Sequence, residues 1–220
     1  MQPSHISSNR VVSIDALRGF DMFWIVGGGT LVSAILTRIG GPVSQALNRQ
    51  LEHCLWHGFH FEDLIHPLFL FIVGASMPFS LSKRLARGDS RRDLYIHIFW
   101  RTFMLYVLGM VYNGLLDLQF NNLRYTGVLH RIAFTYFFAA LIVMNFSILK
   151  QAVWAGALLI GYWAAMSLIP VPGHGAGSLE PNANLADFID SMLLPGVHRS
   201  YGLNKGGDAN GILTTMPAIV

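Results

Sequence analysis

Long apolar stretches, rather than alternating apolar and polar positions, dominate this chain of 220 residues. A bilayer core about 30 Å thick is crossed by roughly 20 apolar helical residues, whereas each strand of an outer-membrane barrel alternates over about ten. The pattern therefore predicts an all-α fold, a polytopic transmembrane helical bundle. Five complete helices are expected, with the start of a sixth, at residues 20–39, 64–82, 95–116, 127–147, 152–169 and from 212.

The end of the sequence is apolar again, from Ile212 to Val220, and the chain then stops without a polar cap. We therefore expect residues 1–220 to be the N-terminal part of a single transmembrane domain that is truncated at its C-terminus. The composition agrees, because 53% of the residues are hydrophobic and only 12% are charged, against about 25% charged residues in ordinary globular chains.

Basic residues orient these helices. Five of them lie between Lys83 and Arg92, directly after the second predicted helix. Because the cytoplasmic loops of membrane proteins carry an excess of Lys and Arg, we expect this segment and the N-terminus to lie inside. The His-rich segment 40–63 and the segment 171–211 then face the other side. The formal net charge of +3 is too small and too dispersed for a nucleic-acid partner.

Three ionisable residues enter the first helix at intervals of three: Asp15, Arg18 and Asp21. This spacing places them on one helical face. Two interpretations stay open, because an ionisable group at membrane depth is costly unless it has a partner or a function. The three residues form a structural triad, or Arg18 binds an anionic group of a substrate that approaches from the cytoplasm.

Histidines are concentrated in one segment. Four of the nine lie between residues 53 and 66, together with Asp63. If the segment is helical, His53, His57 and His60 share a face that Asp63 continues. A carboxylate there can fix one imidazole tautomer and raise its basicity, as a general base requires. Zinc binding and a simple interfacial location are the alternatives, although the spacing lacks the glutamate of the zinc-protease helix.

Two further arginines lie at membrane depth. Arg101 is inside the third predicted helix, and Arg131, which follows His130, is near the outer start of the fourth. Neither guanidinium can face lipid, so each is expected to point into the bundle, toward a carboxylate such as Asp117, a backbone carbonyl or a bound anion. Arg124 lies just outside the fourth helix, where a snorkelling anchor is the simpler interpretation.

A run of three glycines, from Gly27 to Gly29, interrupts the first predicted helix. The run follows no strand and lacks the Lys-Ser/Thr of a phosphate-binding loop. Within an apolar helix, such a run permits close packing of helices, or a break at which a ligand approaches the backbone. We favour packing and keep the break as the alternative.

Four ordered blocks carry recognisable motifs. Residues 13–21 read SIDALRGFD, and residues 53–58 and 63–74 read HCLWHG and DLIHPLFLFIVG. Residues 123–132 read LRYTGVLHRI, and residues 208–219 read DANGILTTMPAI. Together these blocks resemble the membrane acyltransferases typified by heparan-alpha-glucosaminide N-acetyltransferase, including their bacterial relatives.

The resemblance implies an acyltransferase that takes an acetyl group from acetyl-CoA in the cytoplasm and delivers it across the membrane to an amino sugar or related saccharide. The histidine of the family's His-x-x-Trp motif is catalytic, and it corresponds here to His53. Family members have many more membrane helices than this chain. The chain would then be the N-terminal half, inactive alone, of a multi-pass protein of a bacterial inner membrane.

On this resemblance, individual residues receive roles. His53 acts as a general base or as a transient acetyl carrier, and Asp63 orients or polarises an imidazole. Guanidinium forks suit phosphate oxygens, so the coenzyme A phosphates are expected on Arg18, Arg101 and Arg131. The residues expected to contact the substrate or to support the site, with Asp15 positioning Arg18, are Asp15, Asp21, Trp56, His57 and Arg124.

No metal is expected, and acetyl-CoA enters as a co-substrate. The expected partners are the lipid bilayer and a saccharide acceptor, and a homodimer stays open. Two other functions compete. A polytopic transporter or permease would use the buried charges as a substrate or proton path and would need no acyl-CoA. A non-enzymatic membrane assembly subunit would tolerate replacement of its histidines.

Overall fold

The computed structural model describes residues 12–54, 56–118, 120, 123–194 and 210–220. The chain forms two compact units, one of residues 1–53 with 59–72 and the other of residues 54–58 with 73–220. Five helical stretches of the described chain are long and apolar enough to cross a membrane: Val12–Ile39, Phe61–Ala86, Arg91–Tyr112, Val128–Asn145 and Ile148–Leu168. The predicted all-α, multi-pass architecture is confirmed. The inside location of the N-terminus and the single domain stay predictions.

The first unit begins with a helix that is broken in its middle. A wide turn over Trp24–Gly28 joins α1 (Val12–Phe23) to α2 (Gly29–Ile39), and Gly27 in that turn has φ 130° and ψ 13°. A side chain at Gly27 would be strained at this φ, and a Cβ at Gly28 would lie 2.5 Å from an aromatic ring carbon of α1. The glycine run therefore forms a break, which is the alternative to the packing surface that we favoured.

Two more helical segments complete the first unit. They are α3 (Gly41–Gln50) and residues 61–72 of α4 (Phe61–Ala86). A proline in its first turn begins α3, and Asn48 donates a hydrogen bond from Nδ2 to Oγ1 of Thr37 in α2 (3.2 Å). Residues 40–63 were expected to form a loop, and α3 lies within that range instead.

In the second unit, α5 (Arg91–Tyr112) and α6 (Val128–Asn145) pack as an antiparallel pair. Tyr95, near the start of α5, donates its hydroxyl hydrogen to Oδ1 of Asn145, at the end of α6 (2.7 Å). The core of this pair also takes in the end of α4, and its buried members are Met77, Leu81, Leu94, Ile98, Tyr136 and Ala140.

The ends of α5 have local causes. Ser90 and Asp93 form a capping box at its start, in which each side chain bonds the other residue's backbone N–H. At its other end, Gly114 adopts a left-handed conformation (φ 98°) and a 3₁₀ turn follows over Leu115–Asp117. The helix therefore stops at Tyr112, earlier than the hydropathy predicted.

The remaining elements of the second unit are the fifth span and the short elements that follow it. They are α7 (Ile148–Leu168), β1 (Pro170–Val171), β2 (Gly175–Ala176), α8 (Leu185–Leu193) and α9 (Ile212–Thr215). The two strands pair as an antiparallel hairpin. The buried residues that hold these elements together are Met166, Val171, Leu185, Ala186 and Leu213. Residues 171–211 were expected to form a loop, whereas the hairpin and α8 form in the described part of that range.

The start of α9 is held by a residue of α8. Asp190 is fully buried, and its Oδ1 accepts a hydrogen bond from the backbone N–H of Ile212 (2.9 Å). The first N–H groups of a helix lack partners within the helix, so this carboxylate satisfies one of them. A Cβ at Gly211 would overlap the Asp190 carboxylate, so only glycine fits at that position.

Candidate functional site

His53 and Asp63 lie together at the start of α4. Nδ1 of His53 is 2.8 Å from Oδ1 of Asp63. Asp63 is the third residue of α4, and its Oδ2 accepts the backbone N–H of His60, just before the helix (2.9 Å). Residues 51–54 and 56–60 form neither helix nor strand. The expected helical face shared by His53, His57 and His60 is therefore wrong, and the loop brings His53 to Asp63 instead.

Side chains on both sides of the loop fix its path. Nδ1 of His60 lies 2.7 Å from the carbonyl oxygen of Glu52, so this nitrogen carries the hydrogen and donates. The backbone N–H of Phe61 donates to Oε1 of Gln50 (3.3 Å). His60, which the sequence placed among the candidate imidazoles, thus ties the end of the loop to its beginning.

The pair has the geometry of an oriented imidazole. A carboxylate accepts only, so Nδ1 of His53 donates to Asp63 and the neutral ring carries its lone pair on Nε2. The His53 side chain is 46% exposed and the Asp63 side chain 20% exposed. This arrangement can accept a proton, or attack a carbonyl carbon, at Nε2.

The triad expected at the entrance of the first helix is only partly present. Nη1 of Arg18 is 3.7 Å from Oδ1 of Asp15, and both side chains are partly exposed. Asp21 does not join them in the described part of the chain, where no ion pair links it to Arg18. Its side chain is instead completely buried.

Trp56 and His57 contact the segment that precedes α8. Nε1 of Trp56 donates to the carbonyl oxygen of Leu179 (2.9 Å), a residue that sequence reasoning did not single out. His57 Nε2 lies 3.5 Å from Oε1 of Glu180, with both side chains 71% exposed, so this pair adds little stability. Gly58 has φ 132°, which favours glycine at the turn after the tryptophan.

A cavity of about 230 Å³ lies beside α8 in the same unit. Asn182 donates its backbone N–H to Oδ2 of Asp187 (2.8 Å), and both residues line the cavity. Nδ2 of Asn184 donates both to Asp187 and to the carbonyl oxygen of Glu180. Glu180 follows Leu179, the residue that Trp56 contacts, so Asn184 connects the cavity wall to that contact. The cavity walls combine polar side chains with apolar ones, as small-ligand sites do.

The arginines in and near the membrane spans have different surroundings. The guanidinium carbon of Arg101 lies 4.5 Å from the centre of the Tyr136 ring, a cation–π contact. In the described chain Arg101 makes no ion pair with Asp117. Arg131 donates from a guanidinium N–H to the carbonyl oxygen of Thr214 (3.0 Å), one of the partner types expected. The backbone carbonyl of Arg124 accepts from the side chain of Asn113 (2.9 Å).

His130 is a packing residue as well as a neighbour of Arg131. Its side chain is 1% exposed, and its ring meets that of Tyr106 edge to face, with centroids 4.6 Å apart. A Cβ at Gly109 would come within 2.9 Å of the imidazole. The glycine in α5 therefore makes the notch into which the His130 ring fits.

Comparison with known proteins gives two relatives, while no protein-family model matches the chain. Heparan-alpha-glucosaminide N-acetyltransferases of Homo sapiens and Mus musculus are each 28% identical to it, over 96% and 97% of its length. The family resemblance is confirmed. The chain spans 37% and 38% of the length of these two curated relatives.

Two of the motif blocks that carry the resemblance to heparan-alpha-glucosaminide N-acetyltransferase meet in the second unit. The bond between Arg131 and Thr214 joins block 123–132 to block 208–219. The five apolar helices and the similarity to membrane enzymes identify an integral, multi-pass membrane protein. Within the described residues, no three His, Cys, Asp or Glu side chains are grouped so that they could hold a metal ion.

Proposed function

We propose that this protein is part of an integral membrane acyltransferase that transfers an acetyl group from acetyl-CoA to an amino sugar or related saccharide across the membrane. The observation that carries the proposal is the 2.8 Å contact between His53 and Asp63. It supplies an oriented imidazole at His53, within the His-x-x-Trp motif that carries the family resemblance. We extend the proposal to a location in a bacterial inner membrane, on the resemblance of the motifs to bacterial members of the family.

Two routes for the acetyl group use the same imidazole. In the direct route, the acceptor nitrogen attacks the thioester carbonyl, the C–S bond breaks, and Nε2 of His53 takes the proton that the nitrogen loses. The coenzyme A thiolate leaves and is protonated. In the carrier route, Nε2 attacks the thioester carbonyl, the C–S bond breaks and the coenzyme A thiolate leaves and is protonated. The acceptor nitrogen then attacks the acetylimidazole, the C–N bond to the ring breaks, and the released Nε2 takes the proton that the acceptor loses. In both routes Asp63 stabilises the positive charge that develops on the ring.

Arginines are the groups of this chain best suited to the phosphates of the donor. Arg18 uses only part of its five N–H donors on Asp15, and its side chain is 46% exposed. The guanidinium carbon of Arg101 lies over the Tyr136 ring, and this cation–π contact uses none of the N–H donors. Arg131, which donates to the carbonyl oxygen of Thr214, is a further candidate.

A His53→Ala variant of the full-length protein tests the proposal. With purified protein in lipid nanodiscs, [acetyl-14C]acetyl-CoA and glucosamine, we expect the variant to lose at least about 10²-fold in rate. His97→Ala, a substitution of a histidine in α5, is the matched control and keeps the wild-type rate. Wild-type transfer by His53→Ala would refute the assignment. Substrate uptake driven by a proton gradient, without acetyl transfer, would favour a permease instead.

A further inference from the structure

His60 is a histidine of the candidate site to which the proposed acetyl transfer gives no role. It lies directly before α4. Its backbone N–H donates to Oδ2 of Asp63 (2.9 Å), and Nδ1 of its ring donates to the carbonyl oxygen of Glu52 (2.7 Å). His60 is therefore bonded both to the proposed catalytic carboxylate and to the residue that precedes the proposed catalytic histidine.

These bonds close a ring of four residues. Glu52 is joined by a peptide bond to His53, and the His53 ring contacts Oδ1 of Asp63 (2.8 Å). Oδ2 of the same carboxylate accepts from His60, and the ring of His60 returns to Glu52. The bond from His60 to Glu52 therefore restrains the backbone next to His53 relative to the carboxylate of Asp63.

His53 needs such a restraint. Residues 51–54 form neither helix nor strand, and the His53 side chain is 46% exposed, so water competes with Asp63 for the ring nitrogen. The hydrogen stays on Nδ1 while Asp63 accepts it, whereas a ring that loses this acceptor carries its hydrogen on either nitrogen. Movement of this segment away from Asp63 would thus remove the lone pair from Nε2 in part of the molecules.

We propose that His60 is a positioning residue for the acetyl transfer, whose ring bond to Glu52 holds His53 against Asp63 and keeps the lone pair of His53 on Nε2. This role rests on the proposed function and requires no contact between His60 and a substrate. Gln50 supports the same arrangement, because its Oε1 accepts the backbone N–H of Phe61 (3.3 Å), the neighbour of His60. Its distance is the longer one, so the His60 ring makes the stronger of the two ties.

Three substitutions of His60 in the full-length protein in nanodiscs test this role, and all three keep the backbone N–H that Asp63 accepts. His60→Asn keeps an N–H donor at the place of Nδ1. His60→Leu has no donor, and the NH₂ group of His60→Gln lies farther along the side chain, at the place of Nε2. We expect kcat to fall about 10- to 100-fold in His60→Leu and His60→Gln, because small displacements of a reacting group have effects of this size.

The same assays separate positioning from substrate binding. The KM values for acetyl-CoA and glucosamine should stay unchanged in every variant, since His60 holds the imidazole and neither substrate. His60→Asn should keep a kcat close to that of the wild type. His97→Leu, the same substitution at a histidine of α5, is the matched control and should keep both kcat and KM.

Two further measurements separate positioning from a general loss of structure. The ¹⁵N resonances of the His53 ring should show the hydrogen on Nδ1 in the wild type and in His60→Asn, and on both nitrogens in His60→Leu. In an Asp63→Asn background, His60→Leu should lower kcat no further, because both residues act through the same imidazole and such effects are not additive.

Three results would overturn the role of His60. They are a wild-type kcat in a folded His60→Leu variant, a loss in His60→Asn as large as that in His60→Leu, and an additive loss in the Asp63→Asn background. The second result would mean that the ring itself takes part in the reaction. If His60→Leu does not fold, His60→Gln is judged by the same results. A wild type that transfers no acetyl group would overturn the proposed function alone, because the ¹⁵N resonances of His53 in the variants still decide the positioning role.

Discussion

Asp63→Asn is a substitution whose effect follows from two hydrogen bonds. Oδ1 of Asp63 accepts from Nδ1 of His53, and Oδ2 accepts from the backbone N–H of His60. Asparagine offers one acceptor oxygen and one NH₂ donor in the same two places. Because the backbone N–H can only donate, the amide oxygen must face His60 and the NH₂ group must face His53.

The consequence is a change of tautomer. Nδ1 of His53 then accepts, its hydrogen moves to Nε2, and Nε2 loses the lone pair that would take a proton. General-base catalysis contributes about 10²- to 10⁴-fold, so we expect kcat to fall by about this factor. The loss equals about 3–5 kcal/mol of activation free energy. The bond to His60 is kept, so the free energy of unfolding should change by only about 1 kcal/mol.

Three measurements on the full-length protein in nanodiscs check this reasoning. They are kcat with saturating acetyl-CoA and glucosamine, the thermal unfolding midpoint, and the ¹⁵N resonances of the histidine rings, which report the tautomer. Asp89→Asn is the control. The Asp89 side chain is partly exposed, and its Oδ2 lies 3.6 Å from Nη1 of Arg84. A wild-type kcat in Asp63→Asn, or a loss of kcat with hydrogen still on Nδ1 of His53, would contradict the mechanism.

Two stability predictions concern packing and anchoring, and thermal unfolding midpoints check both. Gly109→Ala brings a Cβ to 2.9 Å from the His130 ring. Overpacking costs about 1–3 kcal/mol of stability, and the higher helix propensity of alanine offsets about 1 kcal/mol of that cost. We therefore expect an unfolding midpoint about 2–4 °C lower. Gly156→Ala is the control, because its Cβ would meet nothing within 4 Å and should not lower the midpoint. Equal midpoint changes in the two variants would show that Gly109 makes no notch for the His130 ring. Trp56→Phe removes the bond to Leu179 and should cost about 0.5–1.5 kcal/mol, whereas an unchanged midpoint would show that the anchor is dispensable.

Hydropathy predicted the membrane spans because a bilayer imposes one length and one composition on every helix that crosses it. Hydropathy over stretches of this length does not indicate shorter helices. Residues 41–50 are polar and form α3, although Pro42 in the first turn is a recognisable start signal. Asn184 caps α8 by accepting the N–H of Asp187, and that signal was also in the sequence. Both helices have ten residues or fewer, so an apolar stretch of about 20 residues, the signature of a membrane span, does not indicate them.

The candidate site shows a similar division. The sequence placed Asp63 beside a histidine through helical spacing, whereas a loop and the start of α4 create the contact. The bond between Asp63 and the backbone N–H of His60 is predictable from the sequence, because an acidic residue at the third position of a helix commonly accepts the N–H of the residue before the helix. The contact of Trp56 with Leu179 joins residues 123 positions apart. No local pattern encodes such a pairing, since it depends on how the chain returns.

The contact between Gly211 and Asp190 links two positions in evolution. While Asp190 is present, position 211 admits only glycine, because any Cβ would overlap the carboxylate. Replacement of Asp190 by a smaller residue would lift that restriction and, in the same step, remove the acceptor for the N–H of Ile212. The residues at positions 190 and 211 are therefore expected to change together.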